Sequence, residues 1–247
     1  MPTYCVIGTN RGLGLEFVRQ LAASPDNTII ATVRPDADRT DLEKVVSPTT
    51  HILECDTASV PSVHIFSNKV ARNVLAGADG PSTTKIDYLI VSAGVNGSPS
   101  DQDSLALNPV LLSEQMAVNV VGPAKVLEFL VDRKALSSSV RVINMSSGLG
   151  SVALTAESPA RKYVGYSLTK AALNMLTVHQ GHDIRARGLS QAVVVSMDPG
   201  WVKTRMGGEG AQIEAEVSIA GMLKVLHGLK DEDNVSFFGN NGERKPW

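Results

Sequence analysis

Tyr166 and Lys170 stand four residues apart in a stretch of helical character, a spacing that puts a phenol and an ammonium on one helix face. A cation beside a phenol favours the phenolate and lowers its pKa from about 10 toward the range where it serves as general acid and base. Taken alone, such a pair is also what two solvated helix neighbours look like. Ser147 follows an apolar run at 141–145, where a hydroxyl can bond a carbonyl oxygen on which negative charge grows as hydride adds. Asn119 lies inside a long helical run, placed either to bond a backbone group and hold a water beside the lysine or to cap a local kink. These four are the candidate catalytic residues.

The remaining ingredient is a turn, Gly8-Thr9-Asn10-Arg11-Gly12-Leu13-Gly14, between an apolar run at 4–7 and an amphipathic stretch at 15–23 with Phe17, Val18 and Leu21 inward. Glycines let a backbone turn sharply and approach a ligand. The free N–H groups and positive end of a following helix attract a phosphate. The spacing is not GxGxxG, so the strand, turn and helix context carries the reading. The next apolar run, 28–33, ends at Arg34. An acid there would take a ribose 2′-hydroxyl, whereas an arginine accommodates a 2′-phosphate. With Arg11 inside the turn, two guanidiniums can hold a phosphate dianion, which points to NADP(H). The competing reading pairs Arg34 with Asp36 or Asp38.

The elements that must position these residues alternate along the chain. Strand-like runs at 4–7, 28–33, 50–55, 86–92, 140–145, 191–197 and 236–239 are interleaved with helical runs at 15–23, 60–76, 111–131, 166–185 and 214–229. This predicts an α/β chain: a doubly wound, parallel sheet of about seven strands with helices on both faces. Such sheets bind ligands beyond the carboxyl ends of their strands, where every candidate above falls. Stretches 79–84 and 97–101 read as surface loops, so residues 1–247 are expected to form one domain.

Composition excludes other classes. Apolar content of 43% supplies a large core, and 23 basic against 25 acidic residues leave −2 with no basic run, against nucleic-acid binding. No run reaches membrane-spanning length and the first strand starts near Met1, so a cytoplasmic enzyme without signal peptide is expected. Cys5 and Cys55 fall in apolar strands and are expected as buried thiols. His179 and His182 read as a solvated helix end, and no metal site is expected.

In this order and at these strand ends, the glycine turn, Asn119, Ser147 and Tyr166-x-x-x-Lys170 resemble the short-chain dehydrogenase/reductase family over essentially the whole chain. The resemblance implies a Rossmann fold in which the tyrosine exchanges a proton with the substrate oxygen while hydride passes to or from nicotinamide. It implies that lysine lowers the tyrosine pKa and binds the ribose, serine orients the carbonyl, and asparagine supports a proton-relay water. By the same match, Asp56 and Thr57 contact adenine, Ser92, Ala93 and Gly94 follow the fourth strand along the cofactor, and Pro199, Gly200, Val202 and Thr204 meet the nicotinamide. Residues 201–216 become a substrate lid, and a homodimer or tetramer through the long helices is implied.

The Pro-Gly-Trp-Val stretch running to Gly208 and the tail from Phe237 to Pro246-Trp247 look like carbonyl reductases of the C-factor and sniffer type, near fungal ketoreductases similar to the norsolorinic acid enzyme. That implies a ketone on a bulky secondary metabolite of aromatic, polycyclic or polyketide-like kind. Net non-redox chemistry such as cyclisation or dehydration, or an NADP-binding regulatory protein, are the other readings; the complete proton-transfer set speaks against the last. The chain departs from the family in three places. Val91-Ser92-Ala93-Gly94 replaces Asn-Asn-Ala-Gly, weakening one cofactor contact. Arg205 stands where relatives place Asp, either to meet an acidic or oxygen-rich substrate or to pair with Glu209. The insert 154–163 lengthens the gap between Ser147 and Tyr166 and is expected to shape the pocket entrance.

Overall fold

β-Branched runs flanked by turns form seven strands: β1 (Thr3–Ile7), β2 (Thr28–Val33), β3 (Thr50–Glu54), β4 (Ile86–Val91), β5 (Leu136–Met145), β6 (Val193–Asp198) and β7 (Phe237–Gly239). The computed structural model describes residues 1–75, 84–102, 104–158 and 162–247; most of the 79–84 loop lies outside them. The strands make one parallel sheet in the order β3-β2-β1-β4-β5-β6-β7. The chain winds outward from β1 to β3 and then returns to β4 on the other side of β1. The glycine turn after β1 therefore opens at the point where the winding reverses, the crevice in which such sheets hold ligands.

Helices α1 (Gly12–Ala22), α2 (Thr40–Glu43) and α8 (Ala215–Gly228) cover one face, where Phe17, Val18, Leu21, Leu42, Ile219 and Met222 bury against Tyr4, Val6 and Ile29. The other face takes α3 (Val60–Lys69), α5 (Gly122–Asp132) and α7 (Val164–Ala186), with Val63, Phe66, Val126, Leu130 and Ile184 against Cys5, Ile7 and Leu89. Adjacent residues of β1 alternate between the two cores, as the pleat requires. Each fully buried large side chain is worth about 1.5–3 kcal/mol.

Several expectations are corrected. The 111–131 helix begins earlier, as α4 (Pro109–Met116), because Asn108 caps it by accepting from Val110 N and Leu111 N. It is then interrupted by a π-turn at Ala117–Val121 before α5. The 60–76 helix likewise gives way to a π-turn at Val70–Val74, and Ala76 lies beyond the described residues. β3 stops at Glu54, leaving Cys55 just past the strand, although both cysteines are buried and free. β5 starts at Leu136, since Leu136 pairs with Ile86 despite the polar serines that follow it. Two short helices, α2 and α6 (Val152–Glu157), give too few turns for a hydrophobic period to register.

Candidate active site

The turn after β1 is tied to β2 by its backbone and hydroxyls. Gly8 N donates to Thr32 Oγ1 at 2.9 Å, and Thr9 donates to the Thr32 carbonyl through both N (2.8 Å) and Oγ1 (2.9 Å). Gly8 adopts φ +88°, and a Cβ there would lie 2.9 Å from Ala93 Cα; at Gly14 a Cβ would run into the Gly8 carbonyl oxygen. Only hydrogen fits at either position. Gly12 faces Thr204, the nearest atom to its missing Cβ being Thr204 Cγ2 at 3.9 Å, so the segment after β6 reaches the turn at that residue. Arg11, extended at the start of α1, and Arg34, one residue beyond β2, are both exposed. Neither enters an ion pair among the described residues, so the Arg34–Asp36 or Asp38 pairing is absent; Asp38 instead accepts from Thr40.

Along the rest of the crevice, Ser92 N donates to Ile7 O at 3.1 Å, and Gly94 lies within 3.5 Å, measured from its missing Cβ, of both Asn119 Oδ1 and Lys170 Nζ. Asp56 caps its own turn by accepting from Ala58 N. Thr57 is buried and packs against Gly122, where a Cβ would meet Thr57 Cβ at 2.7 Å; its side chain braces α5. Pro199 O accepts from Ser218, and Gly200, at φ +77°, donates to Asp198 Oδ1.

The proton-transfer candidates converge at the next strand ends. Tyr166 lies in the first turn of α7, with Lys170 Nζ 5.4 Å from its ring centre and 2.7 Å from Met145 O at the end of β5. Ser147, partly exposed, follows β5 and caps the short turn Gly148–Gly150 by accepting from Leu149 N at 3.2 Å. Asn119 is fully buried in the π-turn. Its side chain accepts from Val95 N at 2.9 Å and donates to Val95 O and Thr169 Oγ1 at 2.8 and 2.9 Å. It thus bonds the backbone of Val95 and sits at a helix irregularity.

Electrostatically, the expected lowering of the phenol is reversed. Burial and the nearby Asp198 carboxylate push the Tyr166 phenol above the ordinary tyrosine range, while burial pulls the Lys170 ammonium down to about 7. A lysine stripped of water loses part of the charge that would stabilise a phenolate.

Sequence reasoning missed a set of polar residues that hold this arrangement. Ser98, expected in a surface loop, is buried; its Oγ accepts from Tyr166 N at 3.1 Å and from Gln115 Nε2. That acceptor satisfies a first-turn N–H that α7 cannot satisfy itself, because Tyr163 before it is left-handed (φ +54°) and offers no side-chain cap. Beneath the lysine, Ser146 donates to Asn174 at 2.6 Å, and Asn144 donates to Thr177 at 2.9 Å and Gln180 at 2.8 Å. The buried stripe of α7, Lys170, Asn174, Thr177 and Gln180, is polar, so apolar periodicity could not reveal it. Its spacing at three and four residues was the one available signal.

Elsewhere, Arg205 and Glu209 are both exposed and form no ion pair among the described residues, so the alternative of a bridge between them is not seen. His179 and His182 are exposed near the end of α7. Met206 is exposed, whereas Met222 and Leu223 are core. Residues 159–161 of the insert lie outside the described residues.

Residues 2–214 match the family model for short chain dehydrogenase. The chain belongs to that family. It is 33% identical over 175 residues to the C-signal protein of Myxococcus xanthus, a match covering 70% of this chain and 99% of that one. Among solved structures, the NADPH-bound carbonyl reductase from chicken fatty liver superposes with TM-score 0.83 at 28% identity, over 100% of this chain and 99% of that one. The carbonyl reductase Sniffer of D. melanogaster gives TM-score 0.86 over the full length of both chains; at 24% identity this speaks to the fold alone. The seven-stranded sheet is accordingly the Rossmann-type fold of this family.

Proposed function

We propose that this short-chain dehydrogenase reduces a ketone on a bulky metabolite with NADPH, Tyr166 supplying the proton. The observation that carries the reading is the meeting of Tyr166 and Lys170, Nζ 5.4 Å from the ring centre, with Asn119 at Gly94, whose neighbour Ala93 packs on Gly8 of the glycine turn. The turn suits a dinucleotide: Gly8 and Gly14 let it close on Ala93 and on its own carbonyl as a tight strand-turn-helix, the arrangement that presents main-chain N–H groups to a pyrophosphate. Gly8, Thr9, Asn10, Arg11, Gly12, Leu13 and Gly14 would cradle it, Arg34 and Arg11 would take the 2′-phosphate, and Asp56, Ser92, Ala93, Val202 and Thr204 would line its length. NADPH supplies the hydride when bound.

The residues of the chain then divide the proton work. Ser147 donates a hydrogen bond to the carbonyl oxygen, where charge develops. Tyr166 gives that oxygen its proton. Because burial and Asp198 hold the phenol in its protonated form, the site is set for donation, the direction reduction needs. Lys170 orients the phenol, and Asn119 fixes Val95 and Thr169 around it.

Exposed apolar side chains stand on segments that follow the strand ends: Val95 after β4, Val152 after β5, Trp201 and Met206 after β6, and Trp247 after β7. Apolar groups at that end of the sheet suit a large apolar or aromatic substrate. Arg205, exposed on the lid over 201–216, suits an acidic or oxygen-rich group on that substrate. The test is loss of NADPH absorbance across a panel of bulky aromatic ketones, quinones and diketones. Turnover with NADPH, shifting toward NADH in Arg34→Asp, is expected; absence of turnover with every ketone overturns the reading.

A further inference from the structure

Two chains of hydrogen bonds end on the main chain of Tyr166. Gln115 Nε2 donates to Ser98 Oγ at 3.1 Å, and that oxygen accepts from Tyr166 N at 3.1 Å. Asn119 Nδ2 donates to Thr169 Oγ1 at 2.9 Å, and that hydroxyl donates to Tyr166 O at 2.8 Å. Gln115, in α4, and Asn119, in the π-turn that continues it, stand four residues apart, so one helix face sends out both chains. Gln115, Ser98, Asn119 and Thr169 are all buried.

The Ser98 chain answers a gap at the start of α7. The backbone enters that helix through Tyr163 in the left-handed region (φ +54°), a residue that offers no side-chain cap. A first-turn N–H is commonly bonded by a side chain two or three residues earlier; here the acceptor comes from 68 residues away. Gly165 leaves it room, since a Cβ there would lie 2.7 Å from Ser98 Oγ. The acceptor is itself held in place. Ser98 N donates to Asn96 Oδ1 at 3.1 Å, and the Gln115 amide is oriented by a second bond to Leu111 O at 3.2 Å.

We propose that Ser98 and Gln115 are positioning residues for Tyr166: their hydrogen bonds set the first turn of α7, and with it the place where the phenol meets a substrate carbonyl. The inference rests on the reading of Tyr166 as proton donor. A helix start is weakly restrained, because its first N–H groups have no partner within the helix, and a phenol carried there moves with its backbone. Donation needs the phenol within about 2.6–3.2 Å of the accepting oxygen. A small shift of the first turn therefore acts on the proton step and leaves the nucleotide turn after β1 untouched.

The experiment compares Ser98→Ala, Gln115→Met and the double variant with the parent by ketone reduction in H2O and D2O, by NADPH fluorescence titration and by amide exchange of α7 followed by NMR. Ser98→Ala is expected to lower kcat by up to about 100-fold, the cost of a group held about 1 Å out of place. KM and NADPH affinity should stay near the parent values, and the solvent isotope effect should grow as the proton step becomes limiting. Gln115→Met should lower kcat less, because the bond to Tyr166 N survives, and the double variant should fall no further than Ser98→Ala. A protein that is merely less folded loses active fraction at an unchanged isotope effect. Parent-like kcat in Ser98→Ala, or a loss of kcat without a larger isotope effect, overturns the proposal, and a double variant that falls further removes Gln115 from it. A parent chain that reduces no ketone sinks the reductase reading instead. In that case the Tyr166 amide decides on the clamp: faster exchange in Ser98→Ala, with protection kept from Leu173 onward, supports it, and unchanged exchange overturns it.

Discussion

The two halves of the crevice are held by opposite means. Around the turn after β1, shape comes from the backbone: N–H groups and hydroxyls bond Thr32, and Gly8 and Gly14 admit no side chain at all. Around α7, shape comes from buried side chains that cross-brace a helix to β5 and β6, with Asn144, Ser146, Asn174, Thr177 and Gln180 bonded to one another. The glycine-turn half brings main chain against main chain, at Gly8 on Ala93 and at Gly14 on the Gly8 carbonyl, which only a missing Cβ permits. The α7 half holds polar side chains at fixed distances in a dry environment, which takes a satisfied polar network.

The sharpest way to break this contrast is Tyr166→Phe. Turnover should fall by about 10²–10⁴-fold, the usual worth of a general acid, while NADPH affinity measured by fluorescence titration stays near the parent value. Retained turnover would remove Tyr166 from its role. Next in size, Gly14→Ala should cost about 3 kcal/mol of stability, because the added Cβ must displace the Gly8 carbonyl. It should also weaken NADPH binding, and calorimetry showing parent-like affinity would mean the turn is not the cradle.

Asn144→Ala probes the other half. It leaves the buried Gln180 Oε1 without its donor, and about 1–3 kcal/mol should be lost in urea unfolding. A loss in Asn144→Ala as small as that of an exposed substitution would show the network to be dispensable.

The smallest effect is a pH slope. Lys170 is held down to about 7 by burial, whereas an unfolded lysine stays protonated to about 10.4. From pH 7 upward the unfolded chain therefore binds more protons, and stability rises with pH. By about pH 8.5 the gain is at most about 2 kcal/mol. Above that, the buried thiols of Cys5 and Cys55, both pushed up, turn the slope downward. Urea unfolding of the cofactor-free chain at several pH values measures this, and Lys170→Met should abolish the rise.

Wherever the code is local, the sequence sufficed to read it. The Gly8 to Gly14 turn between an apolar run and an amphipathic helix needs only short-range pattern, and the alternation of runs with period two and 3.6 marks all seven strands. Tyr166 and Lys170 show themselves through a four-residue spacing. What stayed hidden depends on partners distant in the chain: Ser98 looks like loop until it meets Tyr166 N, 68 residues away, and Lys245 looks like a solvated tail residue until it meets Asp198. The protonation of the pair belongs to the same class. Spacing says that a phenol and an ammonium are neighbours, but burial sets which of them carries charge, and burial is a property of the folded chain alone.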